Sequence, residues 1–440
     1  MKPAMTPAMT PSPAALRCDV FCRVVDNYGD AAVCWRLALA LAAEQGFGVR
    51  LWIDRPEVLA ALQPALDPAV DVQWLEGVEV RRSPPTDAPG LPDIAIDAFG
   101  GGLPDAYAEA LAMRRPRALC IVLEYLSAES WVAGVHGLAS PHPVLDLRRF
   151  YFCPGFEPGT GGLLRDRGLL AARDAWQSDP HAGEGFLERL GLPAPADDSI
   201  RVSLFGYANP GLHTLLDAMA AGPGRVQLAL APGPLAEGAL AWLRGAGVLP
   251  PGAALEPGRS AVAGALQATM LPFLPQPDFD RLLWSCDLNF VRGEDSLVRA
   301  LWAARPLCWQ LYPQQDDAQC PKLDAFSLAC RRQAGPARGW GEPGCAAVEA
   351  LERLQSAWNG CATGASPGLL VDAGTAAGQS AGQTTGHDPA PFVAALAAAW
   401  PGVRAGLPVL RRRSALLAGA LAGQPDLAAR LAGFCREQLK

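Results

Sequence analysis

Residues 286–304 read Cys286-Asp-Leu-Asn-Phe-Val-Arg-Gly-Glu-Asp-Ser-Leu-Val-Arg-Ala-Leu-Trp-Ala-Ala304. The apolar run at 286–291 predicts a short buried strand, and 296–304 predicts a helix. The glycine-containing turn between them opens that helix, where unpaired backbone N–H groups and the helix dipole favour an anion. This stretch therefore predicts an α/β fold that binds a phosphate group at the turn.

The turn also carries a cluster of polar side chains, namely Arg292, Glu294, Asp295 and Ser296. One explanation is a capped surface helix with an ion pair between Asp295 and Arg299. However, surface chemistry alone poorly explains a charged cluster between a buried strand and an apolar helix. We therefore interpret this segment as the donor-binding turn of an enzyme that uses a nucleotide sugar.

Strand and helix patterns alternate along the chain, which predicts parallel sheets with right-handed crossovers. The predicted strands lie at 19–25, 49–53, 93–97, 118–123, 200–205, 226–231 and 268–273. The predicted helices lie at 31–44, 105–113, 213–221, 235–244, 278–285, 391–400 and 425–439. The predicted fold class is α/β, with two Rossmann-like domains facing each other across a cleft.

Composition suggests the domain limits. Residues 1–16 are rich in Pro, Ala, Thr and Met and predict a disordered leader. A Pro/Ala/Asp-rich stretch separates a first domain at 17–190 from a second at 196–424. A Gly/Ala/Ser/Thr-rich segment at about 361–389 predicts a flexible insertion, and we expect that the last helix, at about 425–440, can pack back on the first domain.

The net charge of −7 and the lack of a long Lys/Arg block argue against a nucleic-acid binder. The short basic run at 411–413 predicts a solvated surface. Twelve cysteines, mostly in apolar runs and without a CxxC pair, predict reduced core residues of a cytoplasmic protein. The chain has no run of about 18 uninterrupted apolar residues, so we expect no membrane partner.

Asp26 and Asp30 flank the turn after the first predicted strand. Asp30 as a helix cap is one interpretation, and a carboxylate that acts as a base in the cleft is the other. Asp278-Phe-Asp280 has the spacing of a metal-binding Asp-x-Asp motif, but capping of an amphipathic helix explains it better. Aromatic residues are usually core, but Tyr207, just after a predicted strand, and Phe273, at a strand end, are at positions where a planar base could stack.

Five segments together resemble one enzyme family. They are Val24-Val-Asp-Asn-Tyr-Gly-Asp30, Val33-Cys-Trp-Arg-Leu37, Glu124-Tyr-Leu-Ser-Ala-Glu129, Gly155-Phe-Glu-Pro-Gly-Thr-Gly-Gly-Leu163 and Leu283-Trp-Ser-Cys-Asp-Leu-Asn-Phe-Val-Arg-Gly-Glu-Asp-Ser296. From Cys18 to Cys330 the chain strongly resembles the protein-arginine rhamnosyltransferases of bacterial elongation factor P. The resemblance continues weakly to the C-terminus.

This resemblance implies an inverting GT-B glycosyltransferase without a metal or other cofactor. It would move L-rhamnose from dTDP-β-L-rhamnose to an arginine guanidinium nitrogen of elongation factor P, activating that factor to rescue ribosomes stalled at polyproline. By matching positions, Asp30 is the expected general base and Asp26 its acidic partner. The donor-binding residues implied by the resemblance are Phe205, Tyr207, Phe273, Gln276, Phe279, Arg292, Glu294, Asp295 and Ser296.

Two positions beside the expected pocket depart from the family pattern. Position 206 is Gly between the two aromatic residues, and position 297 is Leu where Phe is usual. The competing hypothesis for function is a GT-B enzyme that acts on a small molecule or a lipid. A sugar-nucleotide sensor without catalytic activity is a more distant alternative.

Overall fold

The computed structural model describes residues 15–26, 28–83, 90–194, 198–312, 318–335, 341–361 and 390–440. Nearly all of the predicted leader at 1–16 and of the predicted insertion at about 361–389 lies outside the described residues.

The first domain is built on a mostly parallel sheet. In the described part of the chain this sheet has seven strands, β1 Arg17–Cys22, β2 Gly48–Ile53, β3 Val72–Leu75, β4 Val78–Arg82, β5 Ile94–Ala98, β6 Leu119–Leu123 and β7 Arg148–Phe152. They are ordered β3-β4-β2-β1-β5-β6-β7, and β3 pairs antiparallel with β4. The order reverses between β1 and β5, which is the type of position where open α/β sheets bind their ligands.

The second domain repeats this plan. The strands that the structure describes in its sheet are β8 Ile200–Leu204, β9 Val226–Leu230, β10 Ser260–Ala263, β11 Leu266–Met270, β12 Leu288–Arg292 and β13 Leu307–Gln310. Their order is β10-β11-β9-β8-β12-β13, with β10 antiparallel to β11. Here the reversal falls between β8 and β12. The predicted two-domain α/β architecture is confirmed.

Helices cover both sheets. Among the described residues they are α1 Tyr28–Ala43, α2 Pro56–Leu62, α3 Asp105–Met113, α4 Trp131–Val135, α5 Leu169–Ser178, α6 Glu184–Arg189, α7 Leu212–Ala221, α8 Pro234–Gly245, α9 Gln276–Ser285, α10 Asp295–Trp302, α11 Gln319–Gln333, α12 Gly341–Trp358, α13 Ala390–Ala422 and α14 Leu427–Gln438. Helix α1 is buried along most of its length, since its small and aliphatic side chains fit between the sheet and other helices.

Two helices pack across the predicted domain boundaries. Leu427 and Leu431 of α14 belong to the hydrophobic core around β1 and α1 of the first domain. Phe186 of α6 lies in a cluster with Leu271 and Leu282 of the second domain, although α6 precedes the predicted boundary at residue 190. The chain therefore reaches the second domain before its Pro/Ala/Asp-rich stretch and returns to the first domain at its end.

Several elements differ from the sequence-based expectation. Strand β7 and the β3–β4 hairpin have no counterpart among the predicted strands. Helix α13 was expected to end at residue 400, yet it continues through Pro401 and Pro408 to Ala422. A proline inside a helix removes one backbone hydrogen bond. Buried side chains on both sides of these prolines, such as Trp400 and Leu410, keep the helix packed on the second-domain core.

The reduced state predicted for cysteines in apolar runs does not extend to Cys320 and Cys361, which form a disulfide. These two positions are 41 residues apart in sequence, and only the packing of α11 against the end of α12 brings them together. Cys18 and Cys286, which lie in apolar runs, are buried free thiols, as expected.

Residues Phe392–Gln438 are long and apolar enough, by length and composition alone, to cross a membrane. In the structure, several apolar residues of α14 lie in the core of the first domain, and several of α13 lie in that of the second. The expected lack of a membrane partner stays a prediction. The basic run at 411–413 was predicted to be a solvated surface, but its first residue, Arg411, forms an ion pair with Asp287.

Candidate active site

The carboxyl ends of the central strands of both sheets open on one cleft. Asp26 and Asp30 follow β1 of the first sheet, while Tyr207 follows β8 and Arg292 ends β12 of the second. Strands adjacent to a topological reversal leave room for a ligand at this edge. Asp26 and Arg292 accordingly line the same pocket, although they lie in different domains.

This pocket encloses about 740 Å³, including the open space at its mouth, a size typical of small-molecule sites. The sequence-predicted residues that line it are Asp26, Phe205, Phe273, Gln276, Phe279, Arg292, Asp295 and Ser296. The other predicted residues, Asp30, Tyr207 and Glu294, lie beside it. Tyr207 and Asp30 each hydrogen-bond Asp26, and Glu294 is the chain neighbour of Asp295.

Arg292 lies between two aromatic rings. Its guanidinium carbon is 4.9 Å from the centroid of Phe205 and 4.4 Å from that of Tyr207. A guanidinium over an aromatic face is held by the ring quadrupole. Phe205 also contacts Phe279 edge-on, with ring centroids 5.6 Å apart. The arrangement presents a fixed positive charge at the start of α10.

Asp26 contacts the second domain directly. The hydroxyl of Tyr207 donates to Asp26 Oδ2 at 3.0 Å across the cleft. A Cβ atom at Gly293 would lie 3.0 Å from the same oxygen, and so would one at Gly29. Gly293 also has a φ of +63°, which favours glycine. Gly293 therefore allows the second domain to approach this carboxylate, while Gly29 leaves room for it within the first domain.

Asp30 is buried, with 2% of its surface exposed. Its Oδ2 accepts the backbone N–H groups of Val25 and Asp26, both at 2.8 Å, and its Oδ1 accepts the hydroxyl of Tyr125 at 3.3 Å. Burial raises the pKa of Asp30, and the backbone hydrogen bonds oppose that rise. Asp30 lies inside α1 rather than at its N-cap, so the simple cap interpretation is wrong.

Glu294 connects the donor turn to the first domain. Its Oε2 accepts the backbone N–H of Leu126 at 3.0 Å. Burial raises the pKa of Glu294 to about 8, with a smaller contribution in the same direction from the neighbouring carboxylates Asp30 and Asp295. A carboxyl with this pKa is largely protonated at neutral pH, which reduces its repulsion of an anion at the helix N-terminus.

Asp295 belongs to a buried ion-pair cluster between the domains. Arg36 lies 3.2 Å from Asp295 and 3.5 Å from Asp280. Arg299 contacts Asp280 at 2.6 Å and Asp166 at 2.8 Å. The alternative pair between Asp295 and Arg299 is therefore not the main contact of either residue. Asp280 is also no cap, since α9 begins at Gln276, and this carboxylate compensates two buried arginines.

Two further predicted residues, Phe273 and Gln276, connect the pocket to the first domain through direct contacts. The ring of Phe273 lies 5.0 Å from that of Tyr28, and Gln276 Nε2 donates to the Ala32 carbonyl at 3.3 Å. Phe273 follows β11 rather than ending it, because that strand stops at Met270. Its ring remains 41% exposed and forms part of the pocket wall.

The hydroxyl of Ser296 closes the donor turn by contacting the backbone carbonyl of Arg292 and accepting its N–H at 3.1 Å. Position 206 has no space for a side chain, since a Cβ there would lie 2.4 Å from Leu235 and 2.5 Å from Gln310. Leu297 is fully buried in a hydrophobic cluster away from the pocket lining. Neither position lines the pocket, so both departures from the family pattern concern the packing behind it.

Sequence reasoning missed Tyr28, Arg36 and Tyr125. Arg36 had a signal, because a charged residue in the middle of an apolar helix must find a partner. Tyr28 and Tyr125 lie in the quoted motifs, but nothing local showed that they face the cleft. In the part of the chain that the structure describes, no group of three or more His, Cys, Asp or Glu could hold a metal ion. Independence from metals stays a prediction.

Residues 18–436 match the model of the elongation factor P rhamnosyltransferase family, EarP. The chain belongs to this family. It is 40% identical to the protein-arginine rhamnosyltransferase of Pseudomonas putida over 96% of this chain and 99% of the relative. It is 39% identical to that of Pseudomonas aeruginosa over the same shares of the two chains.

A solved structure supports the same assignment. It concerns the structural basis for EarP-mediated arginine glycosylation of translation elongation factor EF-P. That chain is 31% identical and has a TM-score of 0.60, with 96% of this chain and 99% of that chain covered. The EarP member described here is therefore an enzyme, a protein-arginine rhamnosyltransferase with a GT-B fold.

Proposed function

We propose that this EarP member transfers L-rhamnose from dTDP-β-L-rhamnose to one arginine of elongation factor P, with inversion at the sugar carbon. The contact that best supports this proposal is the 3.0 Å hydrogen bond between Tyr207 and Asp26. This hydrogen bond joins the aromatic wall of the second domain, which would bind the nucleotide, to the carboxylates of the first domain. Donor and acceptor groups would meet at this point.

The donor half is suited to a nucleoside diphosphate. Arg292 and the N-terminus of α10 offer positive charge where the leaving diphosphate gains negative charge. Phe205, Phe273 and Phe279 supply apolar walls for a pyrimidine base and a deoxy sugar. The side chains of Asp295 and Glu294 are engaged by Arg36 and by the Leu126 N–H. They therefore oppose a bound diphosphate less than free carboxylates would.

The acceptor half is suited to a cation. Asp26 and Asp30 lie at the edge of the pocket, and a guanidinium binds carboxylates through charge-assisted hydrogen bonds. The free guanidinium has a pKa above about 12, so a carboxylate does not deprotonate it in advance. Instead, one nitrogen attacks the sugar carbon as the bond to the diphosphate oxygen breaks. Asp30 then accepts the proton released from that nitrogen, and the raised pKa of Asp30 makes it a better acceptor than an exposed Asp.

The test is intact-mass analysis of elongation factor P from the same genome after incubation with this protein and dTDP-β-L-rhamnose. We expect a gain of one deoxyhexose unit on one arginine at a loop tip. A variant of elongation factor P with Lys in place of that arginine is the matched control, and its mass should not change. If the factor gains no mass with this donor, the proposal is wrong. Transfer to a small molecule or lipid instead would favour the competing GT-B hypothesis.

A further inference from the structure

The aromatic rings of Phe99 and Tyr125, near Asp30, take no part in the proposed mechanism. Phe99 follows β5 and Tyr125 follows β6, so both lie at the carboxyl edge of the first sheet. Their rings are stacked, with centroids 4.4 Å apart and planes 13° from parallel. Tyr125 is nevertheless 43% exposed. Phe99 covers one face of the Tyr125 ring and leaves the opposite face and the ring edge free of that contact.

Tyr125 lies among the carboxylates of the site. Its hydroxyl donates to Asp30 Oδ1 at 3.3 Å. Burial is the largest cause of the raised pKa of Tyr125, and Asp30, Glu294 and Asp26 raise it further. The Tyr125 hydroxyl thus binds one carboxylate, Glu294 accepts the N–H of the next residue, Leu126, and Arg292 lies across the cleft at the donor turn. An open aromatic face within an acidic group is suited to a flat cation.

The backbone holds Phe99 in an unfavourable conformation. Its φ is +62°, in the left-handed region that residues other than glycine rarely adopt. Gly100 and Gly102 follow with φ of +63° and +83°, and buried Asp97 accepts the N–H of Gly102 at 2.9 Å. Gly101 is packed so closely that a Cβ would lie 2.9 Å from Arg23 Cβ. Strain of this kind persists where the surroundings impose it, and it is concentrated at functional sites.

We propose that the Phe99–Tyr125 pair is the acceptor-side wall of the active site, where the Tyr125 face stacks on the acceptor guanidinium and its hydroxyl fixes Asp30. This inference rests on the proposed function and assigns the acceptor end of the same site. Tyr125 acts as a specificity-determining and positioning residue. Stacking needs a planar cation, so the wall favours arginine over lysine, whose ammonium is a compact point charge.

Substitutions at position 125 separate the two roles. Tyr125→Phe keeps the ring and removes the hydroxyl, so we expect KM for elongation factor P to stay within about two-fold while kcat falls about ten-fold. Without the donated hydrogen bond, the acidic limb of the kcat/KM profile should move to higher pH. Asp26 and Glu294, the other carboxylates facing Asp30, are unchanged in this variant. Tyr125→Leu removes the ring face and should also raise the acceptor KM about ten-fold.

The matched control is Trp74→Leu, because Trp74 is equally exposed at 43% but lies on the distant edge strand β3. It should leave kcat and KM unchanged. Phe99→Leu removes the backing ring and should raise the acceptor KM less than Tyr125→Leu does. Melting temperature and affinity for dTDP, measured on every variant, report on folding and on the donor half.

The outcomes distinguish this inference from the proposed function. If the wild-type protein transfers rhamnose and Tyr125→Leu has the acceptor KM of the Trp74→Leu control, the stacking wall is wrong. If Tyr125→Phe has wild-type kcat and pH profile, the hydroxyl does not position Asp30. A wild-type protein that transfers no rhamnose to the factor overturns the proposed function itself, and the acceptor wall with it.

Discussion

At the scale of single residues, burial and hydrogen bonding give the carboxylates different tasks. Asp30 is held by two backbone N–H groups and by Tyr125, whereas Asp26 makes its contact across the cleft to Tyr207. Burial raises the pKa of Glu294 to about 8, so this carboxyl takes up a proton more readily than it would in water. The three carboxylates therefore differ in their hydrogen-bond partners within a small volume.

The first prediction concerns Asp30→Asn. The amide oxygen of Asn can still accept the N–H groups of Val25 and Asp26, so we expect the fold and the affinity for dTDP to be retained. The amide cannot take up the proton of the acceptor, and kcat should fall by about 100-fold or more. Turnover of elongation factor P by mass spectrometry measures the change. A variant within a few-fold of wild type would show that Asp30 is not the base.

The second prediction concerns pH and stability. The pKa of Glu294 rises from 4.5 to about 8 on folding, so its protonated form favours the folded state. This contribution is fully present below about pH 4.5 and is lost as the pH rises through about 8. We expect the melting temperature to fall over this window, and Glu294→Gln to reduce the slope. The burial-raised pKa values of Asp30 and Asp295 contribute to the same slope and remain in the variant.

Melting curves of both proteins between pH 5 and pH 8.5 would measure this difference. Glu109→Gln, at an exposed position of α3, is the control and should leave the slope unchanged. Equal slopes for wild type and Glu294→Gln would contradict the assignment of this titration to Glu294.

At the scale of elements, the β12–α10 turn can adopt its conformation next to Asp26 because position 293 is a glycine. The third prediction is that Gly293→Ala both strains the backbone and moves Asp26, since the new Cβ would lie 3.0 Å from Asp26 Oδ2 at a φ of +63°. We expect a loss of about 1 kcal/mol in the free energy of unfolding. We also expect a clear fall in kcat.

Gly77→Ala separates these two effects. Gly77 has a φ of +82° in the β3–β4 hairpin, but a Cβ there would meet nothing within 4 Å. This control should lose comparable stability in urea unfolding and keep its activity. If Gly293→Ala also keeps full activity, close approach at Asp26 is unimportant for transfer.

The ion-pair cluster is the other element-scale feature. Arg36 of α1, Asp280 of α9 and Asp295 of α10 bring three helices from two domains together. Charges buried in this way cost free energy to desolvate, and they contribute orientation more than stability. The cluster fixes the start of α10, and therefore the donor turn, against the first domain.

At the scale of the whole molecule, the C-terminus belongs to the core of the first domain. Asp426 caps α14 by accepting the N–H of Ala429 at 2.9 Å, and Leu431 is fully buried among residues of α1 and β1. Helix α13 meanwhile packs on the second domain. The chain therefore ties the two domains together at a second place, far from the cleft.

The fourth prediction is that Leu431→Ala destabilises the protein by about 2–5 kcal/mol, because it leaves a cavity in the first-domain core. Urea unfolding followed by tryptophan fluorescence measures the loss. Leu416→Ala on α13 is the matched control, since Leu416 is 53% exposed and its truncation should cost no more than about 0.5 kcal/mol. Equal stability of the two variants would mean that α14 is not part of the cooperative core.

Local patterns predicted a large part of this protein. The strand–turn–helix at 286–304 appears as β12 and α10, and the Asp26–Asp30 turn does join β1 to α1. Hydrophobic periodicity and turn residues act over a few positions, so the sequence displays them directly. The motifs also placed Phe205, Phe273 and Arg292 at one site through family resemblance, and these residues do line one pocket.

Only the tertiary structure decided which residues meet across the cleft. Tyr207 and Asp26 are 181 positions apart, and Glu294 and Leu126 are 168 apart. The disulfide, the position of α14 and the Phe99–Tyr125 pair depend in the same way on packing between distant segments. Such contacts depend on how the domains pack and on the need of buried charges for compensating partners. The sequence therefore determined the two halves of the site, and the packing of the domains determined how they face each other.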